Sequence, residues 1–276
     1  MSTTGRRGRH LLPNNTSPEG PVDIRASCSH WKTNRKVFEL LEQTDWAGRT
    51  IVDVGAGEGF FCSMMGEHLK ERRGLRPEDV LRGCDHFPER FRYPDVPCDP
   101  IDANGFLPYG DETFDAVVCI EVIEHIEDQF KLVRELHRIT RPEGRVIVTT
   151  PNLLNINSRL RFFFSGFWLL FAPLPLRSKD PVHLGGHIHP VSFYYLAYMF
   201  YRAGFREVRV HFDRFKRSAI ALCVPFYLPI LLADRIGMLR LRRKNRETLE
   251  ENRFLLRRIN SVEMLTARTV ILEGIK

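Results

Sequence analysis

Two clusters in this 276-residue sequence combine residue types and spacings that could do chemistry. The first is Ile51-Val52-Asp53-Val54-Gly55-Ala56-Gly57-Glu58-Gly59-Phe60-Phe61. A β-branched run stops at three glycines in alternate positions, and helical spacing begins at once. Glycines let the backbone turn sharply and approach a ligand with no Cβ in the way. The helix start behind them offers free N–H groups to an electron-rich group. A dinucleotide fingerprint G-x-G-x-x-G is not met, because Phe60 stands where its third glycine would fall. The Asp53 carboxylate, two residues before the first glycine, would repel a pyrophosphate and suits a ligand carrying an ammonium group. Asp53, Gly55, Ala56, Gly57 and Gly59 are therefore candidate binding residues.

The second cluster is Cys119-Ile120-Glu121-Val122-Ile123-Glu124-His125-Ile126-Glu127-Asp128. It closes an apolar run, and ligands collect at the C-terminal edge of a parallel strand, so Ile120 and Glu121 should border the bound molecule. Glu121, Glu124 and His125 stand at i, i+3 and i+4, so one helical turn would gather them on one side. Two chemistries fit. His125, titrating near neutrality, would act as a general base toward an acceptor hydroxyl, with Glu124 beside it. Alternatively, Glu121, Glu124 and His125 would hold a divalent metal that acidifies the acceptor; mixed O and N donors suit Mg²⁺, Mn²⁺ or Fe²⁺ without selecting one. A purely architectural role, with Glu124 and His125 bracing a helix start, fits as well.

The elements that must position these clusters alternate. Trp31 to Trp46 reads as a helix, Thr50–Val54 as a strand, Phe60 to about Arg72 as a helix and Val80–Asp85 as a second strand. A short strand is expected near Val96–Ile101, a buried one over Phe114–Ile120, a helix over Gln129–Ile139 and a strand over Arg145–Thr150. Then come a helix over Ser192–Ala203, a strand over Phe205–Phe212, a charged helix over Asn245–Ile259 and a last strand over Ala267–Ile275. Strands alternating with helices imply parallel pairing, since a crossover helix returns the chain in the same direction. Residues 1–30 read as a flexible polar tail.

These motifs, in this order, resemble the class I S-adenosylmethionine-dependent methyltransferases over about residues 45–212 plus the last strand. S-adenosylmethionine carries an ammonium and a sulfonium and no phosphate, which agrees with Asp53. The resemblance implies a Rossmann-like α/β fold: a seven-stranded, mostly parallel sheet with helices on both faces and an antiparallel last strand. It also implies that Asp85, with His86 beside it, receives the ribose hydroxyls, although Asp85 is equally placed to cap a turn. Asp102-Ala103 would meet the adenine amino group, and Arg141-Pro142-Glu143-Gly144 matches the turn into the fifth strand, with Gly144 architectural. At Glu-x-x-Glu-His the chain is similar to ubiquinone-biosynthesis O-methyltransferases and to small-RNA 3′-terminal 2′-O-methyltransferases. The latter complete a metal site with a later His, a place that His187 fits better than His189.

Composition bounds the rest. Hydrophobic residues at 43% and charged residues at 27% are those of a globular chain. The net charge of +7 permits contact with phosphates or an anionic membrane without demanding either. Six scattered cysteines, with no C-x-x-C pair, read as reduced thiols of a cytoplasmic protein. The residue 31–276 domain carries an apolar excursion over 152–186 and a helical insertion over 216–262. Arginines border both, as in a segment lying at a membrane interface; packing within the molecule and a dimer contact are the alternatives. The best spanning candidate, Ser218–Ala233, is shorter than the roughly 20 residues a span needs and contains Pro225 and Pro229, so no spanning helix is expected. The leading expectation is methyl transfer from S-adenosylmethionine to an oxygen of a small-molecule, glycan or lipid-linked acceptor, at or near the inner face of the membrane. RNA 2′-O-methylation with a divalent metal and a non-catalytic S-adenosylmethionine-binding module are the alternatives. Nucleic acid is the less favoured partner, because the arginines accompany aliphatic segments rather than a polar groove.

Overall fold

The computed structural model describes residues 29–102, 105–177 and 186–276. Most of the expected tail, Cys28, Ala103 and part of the apolar excursion lie outside the described residues. The chain opens with helix α1 (Trp31–Leu41), capped by the His30 imidazole accepting from Lys32 N–H. Then follow β1 (Ile51–Val54), α2 (Phe60–His68), which continues as a wider π-turn through Arg73, α3 (Pro77–Val80), β2 (Leu81–Asp85) and β3 (Cys98–Pro100). Next are β4 (Phe114–Ile120), α4 (Gln129–Ile139), β5 (Thr140–Pro151) and α5 (Ile156–Ser165). The chain finishes with α6 (Phe193–Ala203), β6 (Glu207–Phe212), α7 (Arg217–Lys244), α8 (Arg246–Glu251), α9 (Arg253–Ile259), α10 (Val262–Thr266) and β7 (Thr269–Ile275).

The seven strands lie in the order β3-β2-β1-β4-β5-β7-β6, and β7 runs antiparallel to both its neighbours. This is the expected Rossmann-like sheet. Alternation along each strand divides the core in two. Val52, Val54, Val117, Cys119, Val146, Val148, Val270 and Leu272 face one side, with Leu136, Leu196 and Phe200 packed upon them. Ile51, Ala116, Val118, Ile120, Ile147 and Ile271 face the other, under Val37, Leu41, Phe61 and Met65 of α1 and α2. Asp53 points to this second side. The order reverses between β1 and β4, which opens a crevice beyond their C-terminal ends.

Three local expectations change. Gly144 serves the turn into β5 by absence of bulk: a Cβ there would stand 2.6 Å from Thr140 Cγ2 and 2.7 Å from the Arg141 carbonyl, while the positive φ belongs to Glu143. The charged helix breaks in two at Asn252. Most consequentially, α7 runs 28 residues straight through Pro225 and Pro229. Among the described residues it is the one helix long and apolar enough to cross a membrane by length and composition, and little of its apolar stretch is buried. Both prolines stand on its exposed side, so the carbonyls they deprive of donors face outward.

Candidate active site

The crevice between β1 and β4 is a cleft of about 590 Å³ of empty space, its mouth included. The glycine loop forms its floor. Gly55, Gly57 and Gly59 all take positive φ (76°, 54° and 87°), a region open to glycine at no steric cost. Their uses differ. A Cβ on Gly55 would come within 2.4 Å of Val122 and one on Gly59 within 2.8 Å of Phe91, so these two glycines serve close packing. A Cβ on Gly57 would meet nothing within 4 Å, and Gly57 borders the cleft. Gly57 is thus the position left bare for a ligand. Its N–H donates to Asp85 Oδ2 at 2.9 Å, and the Phe87 N–H donates to Asp85 Oδ1 at 2.8 Å, so Asp85 holds the loop in shape.

Asp53 is buried and lines the cleft. Burial pushes its pKa up to about 7; the hydrogen bond from the Cys62 thiol opposes this, and the Asp85 charge adds a lesser upward push. With no cation near it among the described residues, this carboxyl group can receive a positively charged group. Together with bare Gly57, it fits the amino-acid end of S-adenosylmethionine.

At the end of β4 the expected single helical turn does not form. Glu121 adopts φ of 54°, a region non-glycine residues seldom occupy, and its N–H donates to Thr149 Oγ1 at 2.9 Å. The reversal turns its carboxylate away from Glu124 and toward the His30 N–H at 3.2 Å and Arg268 Nη1 at 3.7 Å. Only then does a 3₁₀ turn, Ile123–His125, begin. Glu121 therefore borders the cleft but stands outside the metal-like group that sequence spacing assigned it to. That group is Glu124, His125 and His187, whose ligand atoms lie within 4.8 Å of one another.

The described segment from Gly186 onward is fastened to this turn. The His189 N–H donates to the Glu124 carbonyl at 3.0 Å, and Gln129 Nε2 donates to the Ile123 and His189 carbonyls. His125 Nδ1 lies 3.0 Å from the Gly186 carbonyl. A carbonyl can only accept, so Nδ1 carries the proton and the neutral ring keeps its lone pair on Nε2. The His187 ring stands edge-on to His125 at 4.8 Å and against Phe171 at 5.1 Å. Burial, then the neighbouring His125, lower its pKa. Glu124 is fully buried, and burial raises its pKa to about 8. Among the described residues, neither Glu124 oxygen, nor His187 Nδ1, has a hydrogen-bond partner.

Asp53, Gly55, Ala56, Gly57, Ile120, Glu121, His125 and His187 thus meet at one cleft. Gly59, Asp85, His86 and Asp102 do not line it. Asp102 is exposed and accepts from the Phe106 N–H at 2.9 Å, the ordinary work of a loop acid. Spacing did not reveal Ser29 and Asn34, which roof the cleft from the start of α1. Buried Asn34 on an otherwise amphipathic helix was the available signal.

The chain matches the sequence profile of a methyltransferase domain over residues 52–148. It is 35% identical over 133 residues to a probable S-adenosylmethionine-dependent methyltransferase of Mycolicibacterium smegmatis, covering 48% of this chain and 49% of that protein. It is 27% identical over 117 residues to a ubiquinone biosynthesis O-methyltransferase of Pseudomonas entomophila, covering 42% and 50%. The chain spans about half the length of the curated relatives it matches. In fold it is similar to a crystal structure of a SAM-dependent methyltransferase from Archaeoglobus fulgidus, with a TM-score of 0.51, 16% identity, and 88% and 90% of the two chains covered. Residues 52–148 thus match a methyltransferase domain, and the seven-stranded sheet with its glycine-floored crevice has the fold seen in S-adenosylmethionine-dependent methyltransferases.

Proposed function

We propose that this protein transfers a methyl group from S-adenosylmethionine to an oxygen of a small-molecule, glycan or lipid-linked acceptor. One observation carries the choice of oxygen: His125 presents a lone pair on Nε2 at the wall of the cleft, its other nitrogen fixed by the Gly186 carbonyl. When bound, S-adenosylmethionine supplies a methyl group already activated by its sulfonium. Asp53 and Gly57 hold the donor's amino-acid end, and Gly55 and Gly59 keep the loop close enough to do so. His125 takes the proton from the acceptor hydroxyl as its oxygen gains the methyl group. Most of the remaining rate comes from in-line placement.

A metal-assisted version of the same reaction is favoured by the orphaned Glu124 oxygens and His187 Nδ1, which an ion would satisfy. Glu124, His125 and His187 would hold it, and it would acidify the acceptor hydroxyl. Without an ion, Glu124 stays protonated near neutral pH.

The acceptor's setting is read from α7. Val224, Leu228, Leu232, Ile236 and Leu239 form a stripe along its outer side, 42–81% exposed. Phe163 and Phe164 of α5 are about as bare. Basic Arg240, Arg242, Arg243 and Lys244 follow at the helix end. Apolar surface edged by cations supports peripheral contact with an anionic membrane at its cytoplasmic face. Incubation with labelled S-adenosylmethionine and cell extract, with and without chelator, tests the reading. Label is expected in the lipid, saccharide or small-molecule fraction; label in RNA, or in nothing, overturns it, and loss with chelator selects the metal version.

A further inference from the structure

Beside the cleft lies a second, shallow pocket with room inside for about one water and about 200 Å³ of space once its open mouth is included, lined by Pro151, Asn152, Asn155, Leu169, Leu170, Lys216 and Arg268. Its construction is specific. The Asn152 amide donates to the Met264 and Ala267 carbonyls at 2.7 and 2.9 Å, and the Asn155 amide donates to Ala267 at 2.8 Å. These three bonds between buried groups fix the strand end that carries Arg268. The Arg268 N–H donates to the Arg214 carbonyl and the Lys216 N–H to the Thr266 carbonyl, both at 2.9 Å, so the two cationic residues are locked across one short antiparallel pairing.

The charges around this pocket do not balance. Asp213 is fully engaged with Arg214, Thr33 and the Thr269 N–H. Glu121 is shared between the His30 N–H and a loose contact with Arg268. Arg268 Nη1 is buried and, beyond that ion pair, has no hydrogen-bond partner among the described residues. Lys216, half-buried, has no carboxylate within ion-pairing distance among the described residues; its charged neighbours are Arg268, Arg214 and, farther in effect, the already engaged Asp213. Lys216 is also the N-cap of α7, with no side chain capping that start. A half-buried lysine with no carboxylate beside it, next to an arginine held only by a 3.7 Å contact to Glu121, is costly to keep charged, and an oxyanion would relieve both.

We infer that Lys216 and Arg268 form an oxyanion subsite that receives a phosphate group of the acceptor while its hydroxyl reaches His125. The inference rests on the methyl-transfer reading. The two sites adjoin: Arg268 contacts Glu121 on the cleft wall, and Phe171, next to pocket residues Leu169 and Leu170, stands against His187. Leu170 is exposed and belongs to the same apolar excursion as Phe163 and Phe164. The subsite therefore suits the phosphate of a lipid carrier or a soluble phosphate monoester equally in its polar chemistry.

The test is calorimetric titration of inorganic pyrophosphate, at low salt, into the full chain with and without saturating S-adenosylhomocysteine. One site is expected, indifferent to S-adenosylhomocysteine. Lys216→Met and Arg268→Met should each weaken it about tenfold or more, Lys216→Arg should restore it, and Arg243→Ser, at the far end of α7, should leave it unchanged. Undiminished binding in Lys216→Met overturns the subsite, as does competition with S-adenosylhomocysteine, which would give the pocket to the donor. Absence of pyrophosphate binding overturns it as well. Failure of S-adenosylhomocysteine itself to bind is a separate result and sinks the underlying reading instead. Glycerol 3-phosphate and phosphatidic acid vesicles, each compared between wild type and Lys216→Met, then identify the source. A Lys216-dependent signal with the first assigns a soluble phosphate, with the second a lipid one, and with neither removes the proposal.

Discussion

At the scale of single residues, the site rests on carboxylates kept from water and one imidazole with a fixed tautomer. His125→Ala should lower turnover by about 10²–10⁴-fold while S-adenosylhomocysteine affinity stays put, because in the proposed reaction the imidazole handles the acceptor's proton and not the donor. Steady-state kinetics beside calorimetry would separate the two effects; unchanged turnover would remove His125 from the reaction. The raised pKa values of Asp53 (about 7) and Glu124 (about 8) carry a sign. The folded protein holds these protons to higher pH than the unfolded chain does. Their contribution to stability is therefore whole below about pH 4, and it is lost as pH rises through 7 to 8. Chelator-treated protein should show a melting temperature that falls over that window, and Glu124→Gln should flatten part of the fall. A flat profile in wild type would mean these carboxylates are ionised and satisfied. The same scale shows what sequence could not convey. Asp53, the glycines and His125 were legible because local spacing fixes their neighbours. Glu121 was not: helical spacing placed it with Glu124, but Thr149 and a positive φ, both consequences of the partner strand, turn it the other way.

Elements were legible where alternation is strong. The bounds of β4 and α4 follow from a run that is apolar but for Asp115 and from an Asp128 cap, whose side chain accepts from Lys131 N–H. The length of α7 was not legible, because proline counts against a helix on average and here both prolines face outward, where lost backbone bonds are replaced by solvent. The sheet's far edge depends on bare backbone. A Cβ on Gly274 of β7 would stand 2.5 Å from Phe200 and 2.8 Å from Phe205, two stacked rings that anchor α6. Gly274→Val should destabilise the fold by about 1–3 kcal/mol in urea unfolding. A neutral substitution would show that α6 yields more readily than close packing allows.

For the molecule as a whole, the sheet gives one cleft at its switch point, while the two insertions after β5 and β6 give an apolar flank beside it. The first was readable as a pattern, since every motif arrived in chain order. Whether the insertions bury each other was not, because composition does not say which apolar face finds a partner. If the flank meets lipid, the protein should sediment with anionic vesicles, less so at high salt. Leu228→Asp with Leu232→Asp should abolish this without lowering the melting temperature, since both side chains are exposed. Loss of stability in that variant would place the stripe against protein instead. The account as a whole depends on a donor seated over Gly57, so titration of S-adenosylhomocysteine into wild type and Gly57→Arg decides most. One bound molecule per chain in wild type and none in a folded Gly57→Arg is expected, since the arginine would fill the space left open there. Equal binding by both proteins, or by neither, would mean that the glycine loop is not where the methyl donor sits.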